Sequence, residues 1–98
     1  MKGRIYIVYI DRGDGFCSAY AFFYDEQTSE FCRCSSHMSS NLEWAKQDIR
    51  GRAHEADYYS VFPNGYDLID VGMFKKPFDC KDYSDVMNAI SQAHSAKE

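Results

Sequence analysis

The chain has 98 residues, 45% of them apolar, including eight tyrosines and seven phenylalanines. That is enough to bury one hydrophobic core but not two, because half-length domains are marginal, so residues 1–98 are expected to form a single α+β domain. Fifteen acids against eleven bases give a net charge of −4, which disfavours direct binding of nucleic acid and favours a basic protein as partner.

Met1-Lys2-Gly3-Arg4 runs directly into a strand-like segment without the apolar stretch of a secretory signal, and this sets the expectation of a cytoplasmic, reducing setting. Arg4 to Ile10 is β-branched and aromatic with apolar side chains on both alternating faces, the pattern of a central, covered strand. No uncharged apolar run in the chain is longer than Ile5 to Ile10, far short of the roughly 20 residues of a membrane-spanning helix, so no membrane association is expected. Asp11-Arg12-Gly13-Asp14-Gly15 is dense in turn formers and reverses the chain into a second strand, Phe16 to Tyr24. Asp25 to Ser29 then turns it into a third, Glu30 to Ser35.

Ser40 with Glu43 three residues on fits a capping box, and Leu42, Ala45, Ile49, Ala53 and Ala56 recur at helical spacing behind it. Tyr58 to Phe62 reads as a strand, Pro63-Asn64-Gly65 as a tight turn, Tyr66 to Val71 as a further strand and Gly72 to Cys80 as a loop. Asp82 can cap a last helix carrying Tyr83, Val86, Ile90 and Ala93 on one stripe. The expected order is β-β-β-α-β-β-α, an antiparallel sheet of four to five strands with two helices.

With the first two turns centred near Gly13 and Gln27, Tyr6, Val8 and Ile10 share a face with Phe16, Ser18, Tyr20, Phe22, Cys32 and Cys34. Ile5, Ile7, Tyr9, Cys17, Ala19, Ala21 and Phe23 form the other, whose alanines leave room for the first helix. The first face is bulky and aromatic, with Tyr24 at its edge. One terminal helix covers only part of such a surface, and large exposed apolar patches mark interaction sites.

Four cysteines in a chain this rich in core residues read as thiols rather than a disulfide framework. Cys32-x-Cys34-x-x-His37 has ligand types for zinc, with Cys17 or Cys80 as a fourth, but no second knuckle of standard spacing accompanies it, and no metal or cofactor is expected. His54 and His94 are expected on the surface.

Asp11 at the end of the first strand and Glu43 at the start of the first helix, within this order of elements, resemble the ribonuclease H core. That core implies a third carboxylate at the end of the strand after the helix. Asn64 stands there, and Asp67 on the next strand is the nearest replacement. Asp14 to Tyr20 and Ser39 to Ile49 are similar to the first hairpin and the cap-and-helix segment of HicB-like antitoxins. What that resemblance implies is a small, catalytically silent scaffold that works by covering another protein.

The expectation is therefore a non-enzymatic protein-binding inhibitor, similar in size and charge to the small acidic inhibitors of phages and mobile elements, including anti-CRISPR proteins. Tyr6, Tyr20, Phe22 and Tyr24 would supply the apolar contact, and Asp11, Asp14, Asp25, Glu26 and Glu30 would imitate phosphates toward a basic, nucleic-acid-binding partner. A second copy of the chain is an alternative occupant of the same face. A HicB-type antitoxin and a ribonuclease H-like nuclease are the rival functions.

Overall fold

The computed structural model describes residues 3–55, 62–77 and 79–97. Four strands, β1 (Gly3–Asp11), β2 (Cys17–Asp25), β3 (Glu30–Ser39) and β4 (Tyr66–Lys75), and two helices, α1 (Leu42–Glu55) and α2 (Ser84–Lys97), follow in the order β1-β2-β3-α1-β4-α2. The sheet order is β3-β2-β1-β4. β1 pairs antiparallel with β2, and β2 with β3, but β4 lies parallel to β1, so the sheet is mixed and not purely antiparallel. The cause is topological: the connection through α1 crosses from the β3 edge to the opposite edge, and β4 arrives running in the same direction as β1. The strand expected over Tyr58 to Phe62 lies outside the described residues, apart from Phe62, which is in no strand.

The first turn centres on Asp14, with Asp11 opposite Cys17, and Gly13 and Gly15 take φ values of 80° and 89° that side chains disfavour. Relative to a centre at Gly13 the pairing moves by two residues, so the expected faces of β1 and β2 survive. The second turn closes with Asp25 opposite Glu30, half a residue from the expected centre, and the pairing moves by one. A one-residue slip flips a strand. Arg33, not Cys32, therefore sits opposite Phe22, and Cys32 and Cys34 lie on the α1 face, where the Cys34 Sγ donates to the Ala21 carbonyl at 3.3 Å.

β4 does not end at Val71. A bulge at Val71 and Gly72 opposite Ile7 and Val8 puts two consecutive residues toward the same face, with Gly72 at φ 141°. It carries Phe74 inward beside Ile10 and turns Met73 outward, so the expected loop begins only after Lys75.

α1 starts one residue later than the capping box implies. The Asn41 Oδ1 accepts the Glu43 and Trp44 N–H groups at 2.9 and 3.3 Å, and the Ser39 Oγ accepts that of Asn41 at 3.1 Å; Asn41, not Ser40, is the cap. α1 lies over β2 and β3, and its Ala45 and Ile49 pack on Ile5, Ile7, Tyr9, Ala19 and Ala21. The stripe positions Ala53 and Ala56 lie outside the described side chains. Asp82 accepts the Ser84 N–H at 3.1 Å ahead of α2, whose Val86 and Ile90 pack on Tyr6, Val8 and Ile10 with Ile69, Val71 and Phe74 of β4. Fully burying an aliphatic side chain such as Ile7 or Ile90 contributes about 1.5–3 kcal/mol, so each helix is fixed chiefly by these contacts. Among the described residues, no helix is long and apolar enough to cross a membrane.

Candidate functional site

The two helices cover opposite faces but also opposite halves of the sheet. α1 covers the β2–β3 half of one face, and α2 packs over the β1–β4 half of the other, which leaves the α2-side face of β2 and β3 partly open. Along that boundary runs a groove of about 430 Å³. Ile10, Tyr20, Phe22 and Phe31 form its floor, and Tyr83, just ahead of α2, and Met87 of α2 form a wall. Arg33 reaches across the floor, its guanidinium 5.7 Å from the centre of the Tyr20 ring.

Of the aromatic residues expected to bind a partner, Tyr20 and Phe22 line this groove. Tyr6 does not. It is fully buried beneath α2, and its hydroxyl lies 2.8 Å from the His94 Nδ1. Tyr24 stacks on the His94 ring with centroids 4.4 Å apart, and Phe31 meets both Tyr24 and His94 edge-on. His94, expected on the surface, is the polar centre of an aromatic cluster that fastens the end of α2 to the sheet, and the Arg4 Nη1 donates to its carbonyl at 3.3 Å. The side chain of His54 lies outside the described residues.

The five acids divide into two groups. Asp11 and Asp14 accept the Gly13 and Phe16 N–H groups within the first turn, both at 3.1 Å, and Arg12 lies 3.8 Å from Asp14. Asp25 accepts the Gln27 N–H at 2.9 Å in the second turn, with Glu26 and Glu30 exposed beside it. At about 3.4 Å per residue, β2 holds the groups about 27 Å apart, with Tyr20 and Phe22 between them.

The carboxylates that suggested a nuclease are also separated. Asn64 and Asp67 lie where β4 begins, with Asp67 opposite Arg4, about 23 Å along β1 from Asp11. The strand after α1 ends in Lys75, the residue opposite Asp11, and Lys76 follows it. Among the described residues no three His, Cys, Asp or Glu side chains converge as metal ligands. The four cysteines are unbridged. His37 pairs through its Nε2 with Asp48 at 2.9 Å rather than joining Cys32 and Cys34. Burial, with Asp11 and Asp14 adding to it, pushes the Cys17 thiol above its ordinary value, which disfavours the reactive thiolate.

One polar cluster is announced by no local pattern in the sequence. The Tyr9 hydroxyl donates to the Asp70 Oδ1 at 3.1 Å, Arg50 of α1 pairs with the other Asp70 oxygen, and the Lys46 ammonium lies 5.6 Å from the centre of the Tyr9 ring. Only pairing β4 with β1 brings Asp70 to Tyr9, and the alternating pattern of Tyr66 to Val71 does not specify a parallel partner. At the other end of β4, the Lys76 Nζ reaches the Asp85 Oδ1 at 2.8 Å, which raises the lysine pKa and lowers that of the aspartate, and joins the loop after β4 to the first turn of α2.

No family model matches this chain, and neither the curated proteins nor the solved structures contain a match to it.

Proposed function

We propose that this chain is a non-enzymatic, protein-binding inhibitor that engages a basic partner through the groove between α2 and β3. The observation that carries the reading is the offset of the two helices, which opens an aromatic floor midway between two acidic turns. An apolar centre with a charged rim is the layout of a specific interface, in which buried aromatic anchors hold the partner and the rim charges set orientation and association rate. The distance between the turns, about 27 Å, suits a patch of about 800 Å² on one partner. Asp14 at one end and Asp25, Glu26 and Glu30 at the other present carboxylates to cationic side chains that would otherwise meet phosphates. A second copy is a poorer occupant, because two chains of charge −4 would bring like rims together.

Capture from the native host with wild-type bait, with Phe22→Ala and with the pair Asp25→Lys and Glu26→Lys tests this. A basic protein retained by the wild type, released faster from Phe22→Ala and captured more slowly by the charge-reversed bait supports the reading. Capture unchanged by either set of substitutions rejects it. A small basic toxin as the captured protein would identify the inhibitor as an antitoxin.

A further inference from the structure

Next to the apolar groove, across Tyr20 and Arg33, lies a second concavity of about 390 Å³ on the open edge of the sheet. Its chemistry is opposite to that of the chain as a whole. Arg12 from the first turn, Arg33 from β3 and Arg52 from α1 converge on it, with Ser18, Ser36 and His37 between them. Three guanidinium groups in one depression repel each other, and this chain has four more carboxylates than cations with which to neutralise them. It does so at Arg12 but, among the described residues, not at Arg33 or Arg52. Arg12 donates through its Nη1 to the Met38 Sδ at 2.7 Å, a weak acceptor, and its Nε is 3.8 Å from Asp14. Arg33 stacks on Tyr20, and among the described residues neither Arg33 nor Arg52 pairs with a carboxylate.

From this convergence we infer that the concavity is a binding site for a compact phosphate group, carried by a small molecule. Arginine forks match phosphate oxygens in pairs, and the hydroxyls of Ser18 and Ser36 are additional donors. The site favours a compact ligand over a polyanion because it is bordered by carboxylates: Asp14 sits beside Arg12, and Asp48 is held against His37. A nucleic-acid strand leaving the depression would run into them. Tyr20 forms a shared wall with the apolar groove, so a planar group attached to the phosphate has an aromatic surface to lie against.

The inference goes beyond the protein-binding reading and shares only Tyr20, Arg33 and the bordering Asp14 with it. Titration of the isotopically labelled protein with inorganic phosphate and, separately, with adenosine 5′-monophosphate tests it. Saturable shifts are expected at the backbone amides of residues 33–38 and 52, and Arg33→Gln and Arg52→Gln should each weaken binding about tenfold. Lys46→Gln, a cation on α1 that faces Tyr9 instead, should leave it unchanged. Equal affinity for both ligands identifies a site for phosphate alone; tighter binding of the nucleotide, with shifts at Tyr20, adds the aromatic wall. Shifts that never saturate, equal losses in all three variants, or affinity found only for oligonucleotides and growing with their length would overturn the proposal. Arg52→Gln leaves partner capture intact and Phe22→Ala leaves phosphate binding intact, so the two readings fail separately.

Discussion

The Tyr9 hydroxyl donates to the Asp70 carboxylate across the seam where β1 and β4 run parallel, 3.1 Å from donor to acceptor. Burial is the largest cause lifting the Tyr9 phenol above its ordinary 10.0, the hydrogen bond and charge of Asp70 add to it, and Arg50 opposes it. The folded chain therefore holds this proton more tightly than the unfolded chain. The corresponding stability is intact below a pH of about 10 and is lost as pH rises through the folded value. Tyr9→Phe should cost about 0.5–1.5 kcal/mol at neutral pH and make stability fall less steeply in alkali. Urea unfolding of both proteins across that range checks the difference, and parallel curves would contradict it.

Asn41 and Ser40 give a test of where α1 begins. Asn41→Ala removes the acceptor of two helix N–H groups and should cost about 1 kcal/mol, read as a lower urea midpoint at unchanged slope. Ser40→Ala should cost only a few tenths of a kcal/mol, within the range of ordinary surface changes. The opposite ranking would restore the capping box expected from the sequence.

Two glycines should respond to the same substitution with opposite signs. Neither would place an added methyl within 4 Å of another group, so the difference lies in the backbone. Gly51 is inside α1, and Gly51→Ala should stabilise by about 0.5–1 kcal/mol. Gly72 forms the β4 bulge at φ 141°, and Gly72→Ala should destabilise by about 1–3 kcal/mol. Thermal melts of the two variants beside the wild type decide the matter.

Tyr6 and Phe22 separate core from surface on the same sheet face. Tyr6→Ala empties a fully buried site and should cost about 3–5 kcal/mol, enough to unfold much of a small domain. Phe22 is only half-buried in the groove floor, so Phe22→Ala should leave a cooperative melt while weakening partner binding. A melting curve measured beside a binding curve tells the two outcomes apart.

The faces of β1 and β2 were legible because alanines and bulky residues alternate there, and an error of two in the pairing preserves that alternation. β3 was not, since Cys32 and Arg33 carry no pattern strong enough to pin a register against a half-residue change in the turn. The end of β4 was hidden for a related reason: the bulge at Gly72 breaks the alternation that marks a strand, and lysines follow it. The groove was half legible. Tyr20 and Phe22 could be assigned to one face, but burial of Tyr6 under α2 depends on where that helix lies, which periodicity does not fix. The arginine concavity gathers residues from a turn, a strand and a helix, and no local spacing announces such a cluster.

The central claim is that a protein partner sits in the groove, and hydrogen exchange of the captured complex against the free chain tests it most directly. The account predicts slowed exchange concentrated in β3 around Phe31 and Arg33 and at the start of α2 around Tyr83 and Met87, with the face of α1 turned away from the sheet unchanged. Protection confined to that outer face of α1, with the groove segments exchanging as in the free chain, would contradict it.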